Sequence, residues 1–130
     1  MPVHAIHALL NVEDMPASLG FYSHLGFQIV ESFEPDGQPE WVHLRSEQAS
    51  LMLNKNDQAS SPDRRRRANY SDAVFYCSVA SADEMHQKLK TLGIDVGPVE
   101  RQYYGLDEFI TRDPDGYCIA ITSEIPKSDV

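Results

Sequence analysis

The chain has 130 residues and a formal net charge of −9, a size that fits one domain or two very small modules and allows a real core. The negative charge opposes nucleic-acid binding and favours cationic ligands through long-range attraction. No apolar run approaches the roughly 18 residues that a bilayer-spanning helix needs, so a membrane span is excluded and we expect no membrane partner. The first residues carry no basic leader or small-residue cleavage site, so we expect a cytoplasmic protein.

The two cysteines, Cys77 and Cys118, lie in strand-like segments and lack the spacing of a metal or redox motif. Strand alternation places them on opposite faces, where they cannot form a disulfide. We therefore expect two free thiols.

An internal repeat organises the chain. Three residues recur 67 positions later: Val12 as Val79, Leu25 as Leu92 and Gly26 as Gly93. Each half also follows the same physical order of a strand, a capped helix, a glycine and further strands. This order predicts an α+β fold built from two tandem βαβββ modules.

The first module begins with a predicted strand over Val3–Val12. Asp14 has the character of an N-cap and Pro16 suits the first helical turn, so a helix follows and ends at Gly26. The apolar period then changes to two. Three strands are predicted there: Gln28–Phe33, Trp41–Arg45 and Ala49–Asn54.

The second module repeats the pattern. Val74–Val79 is the predicted strand, Ser81 and Glu84 have the spacing of a capping box, and Gly93 ends the helix. Three strands follow: Val96–Arg101, Glu108–Arg112 and Tyr117–Ser123. The modules therefore span about residues 1–56 and 72–124, joined by a polar linker over about residues 57–71 that is predicted to be a loop.

Two stretches of this pattern are similar to a known family. FYSHLGF at 21–27 and YGLDEFITRDPDGYCIAITSE at 104–124 resemble the vicinal oxygen chelate superfamily, of the glyoxalase/bleomycin-resistance type. The resemblance covers nearly the whole chain. It implies one domain over residues 1–130, in which the modules form a curved mixed β-sheet cup with helices on the outer face. It also implies a small-molecule ligand on the concave face and a homodimer.

Many members of this family bind a catalytic metal ion with four ligands on the concave strands. The resemblance places these four positions on His7, Met52, Val74 and Ala120. Of these side chains only His7 can bind a divalent ion, because Met, Val and Ala lack the nitrogen or oxygen donors that such an ion requires. We therefore expect no metal and no cofactor. A metal site that combines His7 with His43 or with Glu108 stays open as an alternative.

Strand alternation also predicts which side chains line the cup. Ile6, Leu10, Val42, Leu44, Leu51, Leu53, Phe75, Cys77, Ile119 and Ile121 are expected to face the core, and Cys118, Ala120 and Thr122 to face the cup. The predicted ligand-binding set is His7, Leu9, Trp41, His43, Met52 and Tyr76, with Tyr103, Tyr104 and Glu108 at the mouth. Such a surface suits a planar, partly apolar compound.

Three of these interpretations have alternatives. The aromatic set could instead be half-buried beneath a dimer partner. Glu108 could face a cation on the ligand or be an exposed carboxylate beside a turn. The run Arg64–Arg67 is interpreted as solvated rather than as a nucleic-acid contact, since the overall charge opposes DNA. Contact with an anionic ligand or a neighbouring acidic surface is the preferred alternative.

The sequence thus favours a metal-independent protein that sequesters an aromatic or cationic compound. An enzyme of the same scaffold, a lyase, isomerase or dioxygenase with a non-standard or absent metal site, is the alternative. A regulatory module whose cup is filled by protein is a third. The sequence does not identify the ligand.

Overall fold

The computed structural model describes residues 1–57 and 62–129. The chain divides into two compact units, residues 1–61 and 62–130. Each unit contains one four-stranded mixed sheet and a ten-residue helix between its first two strands. The predicted α+β fold of two βαβββ modules is confirmed.

The first unit consists of β1 (Leu9–Val12), α1 (Met15–His24), β2 (Gln28–Phe33), β3 (Trp41–Ser46) and β4 (Ala49–Lys55). Its strand order is β1-β4-β3-β2, with β1 parallel to β4 and the other pairs antiparallel. Asp14 caps α1, because its Oδ1 accepts the amide of Ala17 at 3.1 Å. Gly26 ends the helix at a φ of +96°, a conformation that favours glycine.

The second unit repeats this plan after a short extra helix. Its elements are α2 (Pro62–Arg66), β5 (Val74–Ser78), α3 (Ala82–Thr91), β6 (Glu100–Arg101), β7 (Leu106–Arg112), β8 (Cys118–Glu124) and a 3₁₀ turn (Lys127–Asp129). The strand order is β5-β8-β7-β6, with β5 parallel to β8. Ser81 Oγ accepts the amide of Glu84 at 3.2 Å, as the capping-box spacing predicts.

The repeat extends to the strand register. Leu9 on β1 lies opposite Met52 on β4, and Tyr76 on β5 lies opposite Ala120 on β8. The second pair follows the first by 67 residues on one strand and 68 on the other. The two sheets therefore place corresponding residues at corresponding points.

In each unit the helix covers one face of the sheet. The core of the first unit comprises Leu10, Val12, Met15, Tyr22, Val42, Leu44, Leu51 and Leu53. That of the second comprises Ala82, Leu89, Phe109, Ile119 and Ile121. Both cysteines are free, and burial raises the pKa of the Cys77 thiol above its ordinary value.

Several strand boundaries differ from prediction. The first strand starts at Leu9 rather than Val3, and the side chain of Ile6 is 93% exposed instead of packed under the helix. Pairing with β4 extends back only to the Ala8 carbonyl, so the residues before it lack a ladder. Likewise, the expected strand Val96–Arg101 shrinks to β6 and a single bridge from Val96 to Thr111.

The linker and one face of the second sheet also differ from expectation. Pro62–Arg66 forms a helical turn where a loop was predicted, and residues 58–61 lie outside the described residues. Three side chains expected to line an open cup are buried: Cys118, Ala120 and Thr122. Within the described ranges, no helix is long and apolar enough to cross a membrane.

Candidate functional site

The first sheet has one covered face and one accessible face, which follows from the alternation of β3 and β4. Val42 and Leu53 are fully buried beneath α1. Trp41, His43 and Met52, at the intervening positions, are half-buried on the opposite side. The side of the sheet predicted to bind ligand is therefore the side that the helix leaves uncovered.

Three ring side chains adjoin one another on this open face. The imidazoles of His7 and His43 contact edge to face, with centroids 5.8 Å apart, and the Trp41 indole lies 6.4 Å from the His43 ring. A hydrogen bond of 2.8 Å joins His7 Nδ1 to Ser50 Oγ and fixes that ring. Two histidine rings and an indole thus form a continuous polar and aromatic surface.

His43 Nε2 is buried and has no hydrogen-bond partner within residues 1–57 and 62–129. A buried polar atom left without a partner costs about 1–3 kcal/mol. A ligand group placed against this nitrogen would remove that cost. Neighbouring atoms cover this nitrogen, so a group on the open face reaches it only after the His43 ring or an adjoining side chain moves.

The strand register completes the first cluster. Met52 lies opposite both His43 on β3 and Leu9 on β1. Leu9 is partly exposed on the same face as Met52. Five predicted ligand-binding residues therefore share one face of one sheet: His7, Leu9, Trp41, His43 and Met52.

Glu108 organises a second cluster, which lies within the second unit. Its side chain is only 2% exposed, so the alternative of an exposed carboxylate beside a turn is wrong. The hydroxyl of Tyr104 donates to Oε1, and the hydroxyl of Tyr70 donates to Oε2. The predicted residue is thus a buried carboxylate held between two phenols.

The carboxylate shifts the ionisation of both tyrosines. The hydrogen bond to Glu108, followed by burial, raises the pKa of Tyr104 above its ordinary value. Burial, followed by the hydrogen bond to Glu108, raises the pKa of Tyr70. Both hydroxyls consequently keep their protons at neutral pH and act as donors.

The other two predicted tyrosines surround Tyr104. A hydrogen bond with Tyr76 adds a smaller upward contribution to the pKa of Tyr104. Tyr103 is 99% exposed and contacts the Tyr104 ring edge to face, at a centroid distance of 5.2 Å. The structure therefore brings Tyr76, Tyr104 and Glu108 together, while Tyr103 lies on the outside of the group.

Tyr70 is the functional candidate that the sequence interpretation missed. It borders a cavity of about 130 Å³ that is also lined by Glu100, Glu108 and Ile110. A larger cavity of about 450 Å³ shares Asn69, Gly97 and Ile110 with the first. The signal for Tyr70 was an aromatic residue within a polar linker, but sequence spacing alone does not connect it to Glu108.

A comparison with protein-family profiles identifies the superfamily of the chain. The sequence profile of the Glyoxalase/Bleomycin resistance protein/Dioxygenase superfamily matches residues 4–121. The chain belongs to this superfamily. The resemblance carried by the two sequence stretches is thereby confirmed. No curated protein matches the chain.

Solved structures of the superfamily share the fold. A bleomycin-binding protein complexed with bleomycin is 22% identical with a TM-score of 0.62, over 95% of this chain and 100% of that one. A glyoxalase/dioxygenase from Nostoc punctiforme is 23% identical with a TM-score of 0.72, over 92% and 90%. A lactoylglutathione lyase from Agrobacterium tumefaciens is 21% identical with a TM-score of 0.68, over 95% and 96%.

The residues of this superfamily member do not fit the four-ligand metal site that the resemblance implies. Met52, Val74 and Ala120 offer no nitrogen or oxygen donor from their side chains. His7 and His43 supply two imidazoles. The part of the chain that the structure describes contains no group of three or more His, Cys, Asp or Glu side chains placed to hold an ion.

Proposed function

We propose that the protein is a metal-independent small-molecule-binding member of the glyoxalase/bleomycin-resistance superfamily that sequesters an aromatic or cationic organic compound. The observation that carries this proposal is His43 Nε2, which is buried without a partner in the described residues and lies beside the Trp41 indole. An aromatic compound with one hydrogen-bonding group would cover the indole and, after a rotation of the His43 ring, pair with this nitrogen.

The family comparison supports binding as a function of this fold. A structure with the same fold is that of a bleomycin-binding protein in complex with bleomycin. Since one scaffold serves many functions, the function of this chain depends on the side chains of its own open face. That face offers an indole, two imidazoles and a thioether rather than a metal centre.

Trp41 is the single tryptophan of the chain, so its fluorescence reports on this face alone. We expect bleomycin or a member of a panel of aromatic compounds to change this fluorescence in a saturable manner with metal chelated. His43→Phe keeps a ring and removes the nitrogen, which we expect to weaken binding about tenfold. His4→Phe, at an exposed histidine, is the matched control. Equal affinities in the two variants, or no response to any compound, would contradict the proposal.

Catalysis by the same face is a second candidate, favoured by the contact between the His7 and His43 imidazoles. Histidine pairs can transfer protons near neutral pH. A lyase, isomerase or dioxygenase activity would convert a bound compound, which mass spectrometry of the incubated ligand detects. Turnover abolished by His7→Gln would favour this candidate, and recovery of unchanged ligand would favour sequestration.

We further propose that the functional form is a cytoplasmic homodimer without a nucleic-acid partner. β2 is an edge strand, and its residues Ile29, Val30 and Phe33 are about half exposed, a surface that a second copy can cover. The free cysteines accord with a reducing compartment. Light scattering at micromolar concentration should give the mass of two chains, and the mass of one chain would overturn the dimer.

A further inference from the structure

Two neighbouring carboxylates of β7 are both buried, but they have different kinds of hydrogen-bond partner. Asp107 is 6% exposed, and its carboxylate accepts hydrogen bonds of 3.0 and 3.3 Å from the Arg101 guanidinium. Glu108 is more deeply buried, and among the described residues no lysine, arginine or histidine forms an ion pair with it. A buried carboxylate normally has a cationic partner, because removing its charge from water is costly. Glu108 therefore lacks a counter-charge that its neighbour possesses.

The two phenols leave Glu108 able to accept further hydrogen bonds from a cationic group. Each oxygen of a carboxylate can accept two hydrogen bonds, and the structure gives each oxygen of Glu108 one phenol donor, from Tyr70 and from Tyr104. The cavity of about 130 Å³ beside Glu108 has space for a small polar group, and Tyr70 forms part of its lining. The tyrosine rings can attract a cation through their π faces in addition to donating their hydroxyls.

A second carboxylate adds negative charge at this point. Glu100 on β6 lies directly opposite Glu108 on β7 and lines the same cavity. Among the described residues, no third His, Cys, Asp or Glu side chain joins these two carboxylates to hold an inorganic ion. A single buried carboxylate with aromatic neighbours instead suits a compact organic cation.

We propose that Glu108, Tyr70 and Tyr104 form a subsite for the ammonium or guanidinium group of an organic cation, with Glu100 at its rim. The inference rests on the proposed function, because it names the chemical class of a compound that the protein binds; the subsite itself lies wholly within the second unit. The cation supplies the missing counter-charge of Glu108, and the phenols fix the orientation of the carboxylate that receives it.

Calorimetric titration of the full chain with benzylammonium tests the subsite. Benzyl alcohol and benzoate are matched neutral and anionic probes. We expect benzylammonium to bind at least tenfold more tightly than benzyl alcohol, and benzoate not to bind. Glu108→Gln retains the shape of the side chain and should abolish the preference. Glu124→Gln removes an exposed carboxylate from β8 with the same change in net charge, and should leave the preference intact.

A second variant tests the subsite in case Glu108→Gln does not fold. Tyr70→Leu removes the ring and hydroxyl of a half-exposed residue and should weaken benzylammonium several-fold. Its thermal melt should stay cooperative at a lowered melting temperature, because Glu108 loses one hydrogen-bond donor. Equal binding of the cation and the alcohol, or equal losses in Glu108→Gln and Glu124→Gln, would overturn the subsite. If the subsite is overturned but aromatic compounds still change the fluorescence of Trp41, only the cation subsite is rejected. If they do not change it, the proposed binding function is rejected as well.

Discussion

The guanidinium of Arg64 lies 4.1 Å from the centre of the Tyr117 ring. This cation–π contact joins α2 to the residue that precedes β8. Arg64 also donates to the Asp115 carbonyl at 2.9 Å, and Arg65 donates to the carbonyls of Asp113 and Pro114. The arginine run was interpreted as solvated, but these two members instead hold the end of the linker against the turn between β7 and β8.

Arg112 secures the same segment from β7, and its replacement by alanine should destabilise the second unit. Its guanidinium donates to the carbonyls of Arg64, Arg67 and Gly116 and to Asn69 Oδ1. We expect Arg112→Ala to lower the free energy of unfolding by about 2–3 kcal/mol, since charged hydrogen bonds are lost together. Urea denaturation followed by circular dichroism measures the change. Arg66→Ala, at an exposed position of α2, should shift stability by less than about 0.5 kcal/mol, and a comparable loss there would contradict this account.

Accessible ring side chains and buried core side chains should respond differently to truncation. Trp41→Ala and Tyr76→Ala remove accessible rings and should lower ligand affinity more than stability. Phe109→Ala removes a 1% exposed side chain and should cost about 3–5 kcal/mol. Phe75 was expected to face the core, but it is only half-buried, in an edge contact with Tyr117. Denaturant melts in which all three variants lose equal stability would invert the assignment of faces.

High pH should weaken the fold through the tyrosines that contact Glu108. Because the folded-state pKa values of Tyr70 and Tyr104 lie above those of the unfolded chain, their contribution to stability is complete below about pH 10 and is lost as pH rises further. The free energy of unfolding should therefore fall above that pH. Glu108→Gln should reduce the fall, since the Glu108 hydrogen bond is the largest cause of the Tyr104 shift. Identical pH profiles for the two proteins would show that the carboxylate does not control these phenols.

Purified protein should contain less than one equivalent of nickel, zinc, iron or manganese, and its melting temperature should not rise when these ions are added. The reason is the absence of donor groups on Met52, Val74 and Ala120. Elemental analysis together with thermal melts provides the measurement. A tightly bound ion that is lost in His7→Ala would refute metal-independent binding.

Alternation correctly predicted which side chains of β3 and β4 are buried, because each strand has one side covered by the core and one accessible side. Val42 and Leu53 are buried as expected, and Trp41 and Met52 lie on the other face of the sheet. The same rule failed for Ile6, since a period of two does not reveal where the pairing partner stops. Apolar alternation alone therefore predicts which face of a sheet a residue occupies, but not how far the hydrogen-bonded pairing of its strand extends.

The environment of Glu108 was beyond sequence reasoning for a different reason. Its partner Tyr70 is 38 residues away and lies in a segment without apolar periodicity. The helical turn over Pro62–Arg66 precedes it, and polar contacts to the β7–β8 turn hold that segment in place. Such contacts depend on three-dimensional placement, which neither composition nor period encodes.

The repeated register has an evolutionary consequence. Met52 and Ala120 occupy equivalent points of two copies of one plan, yet the first copy presents imidazoles and an indole, while the second presents a carboxylate between phenols. Each copy keeps its own core beneath its own helix, so substitutions on one face need not disturb packing in the other. Two copies of one plan with separate cores can thus accumulate substitutions independently, so that one short chain can carry two distinct chemistries.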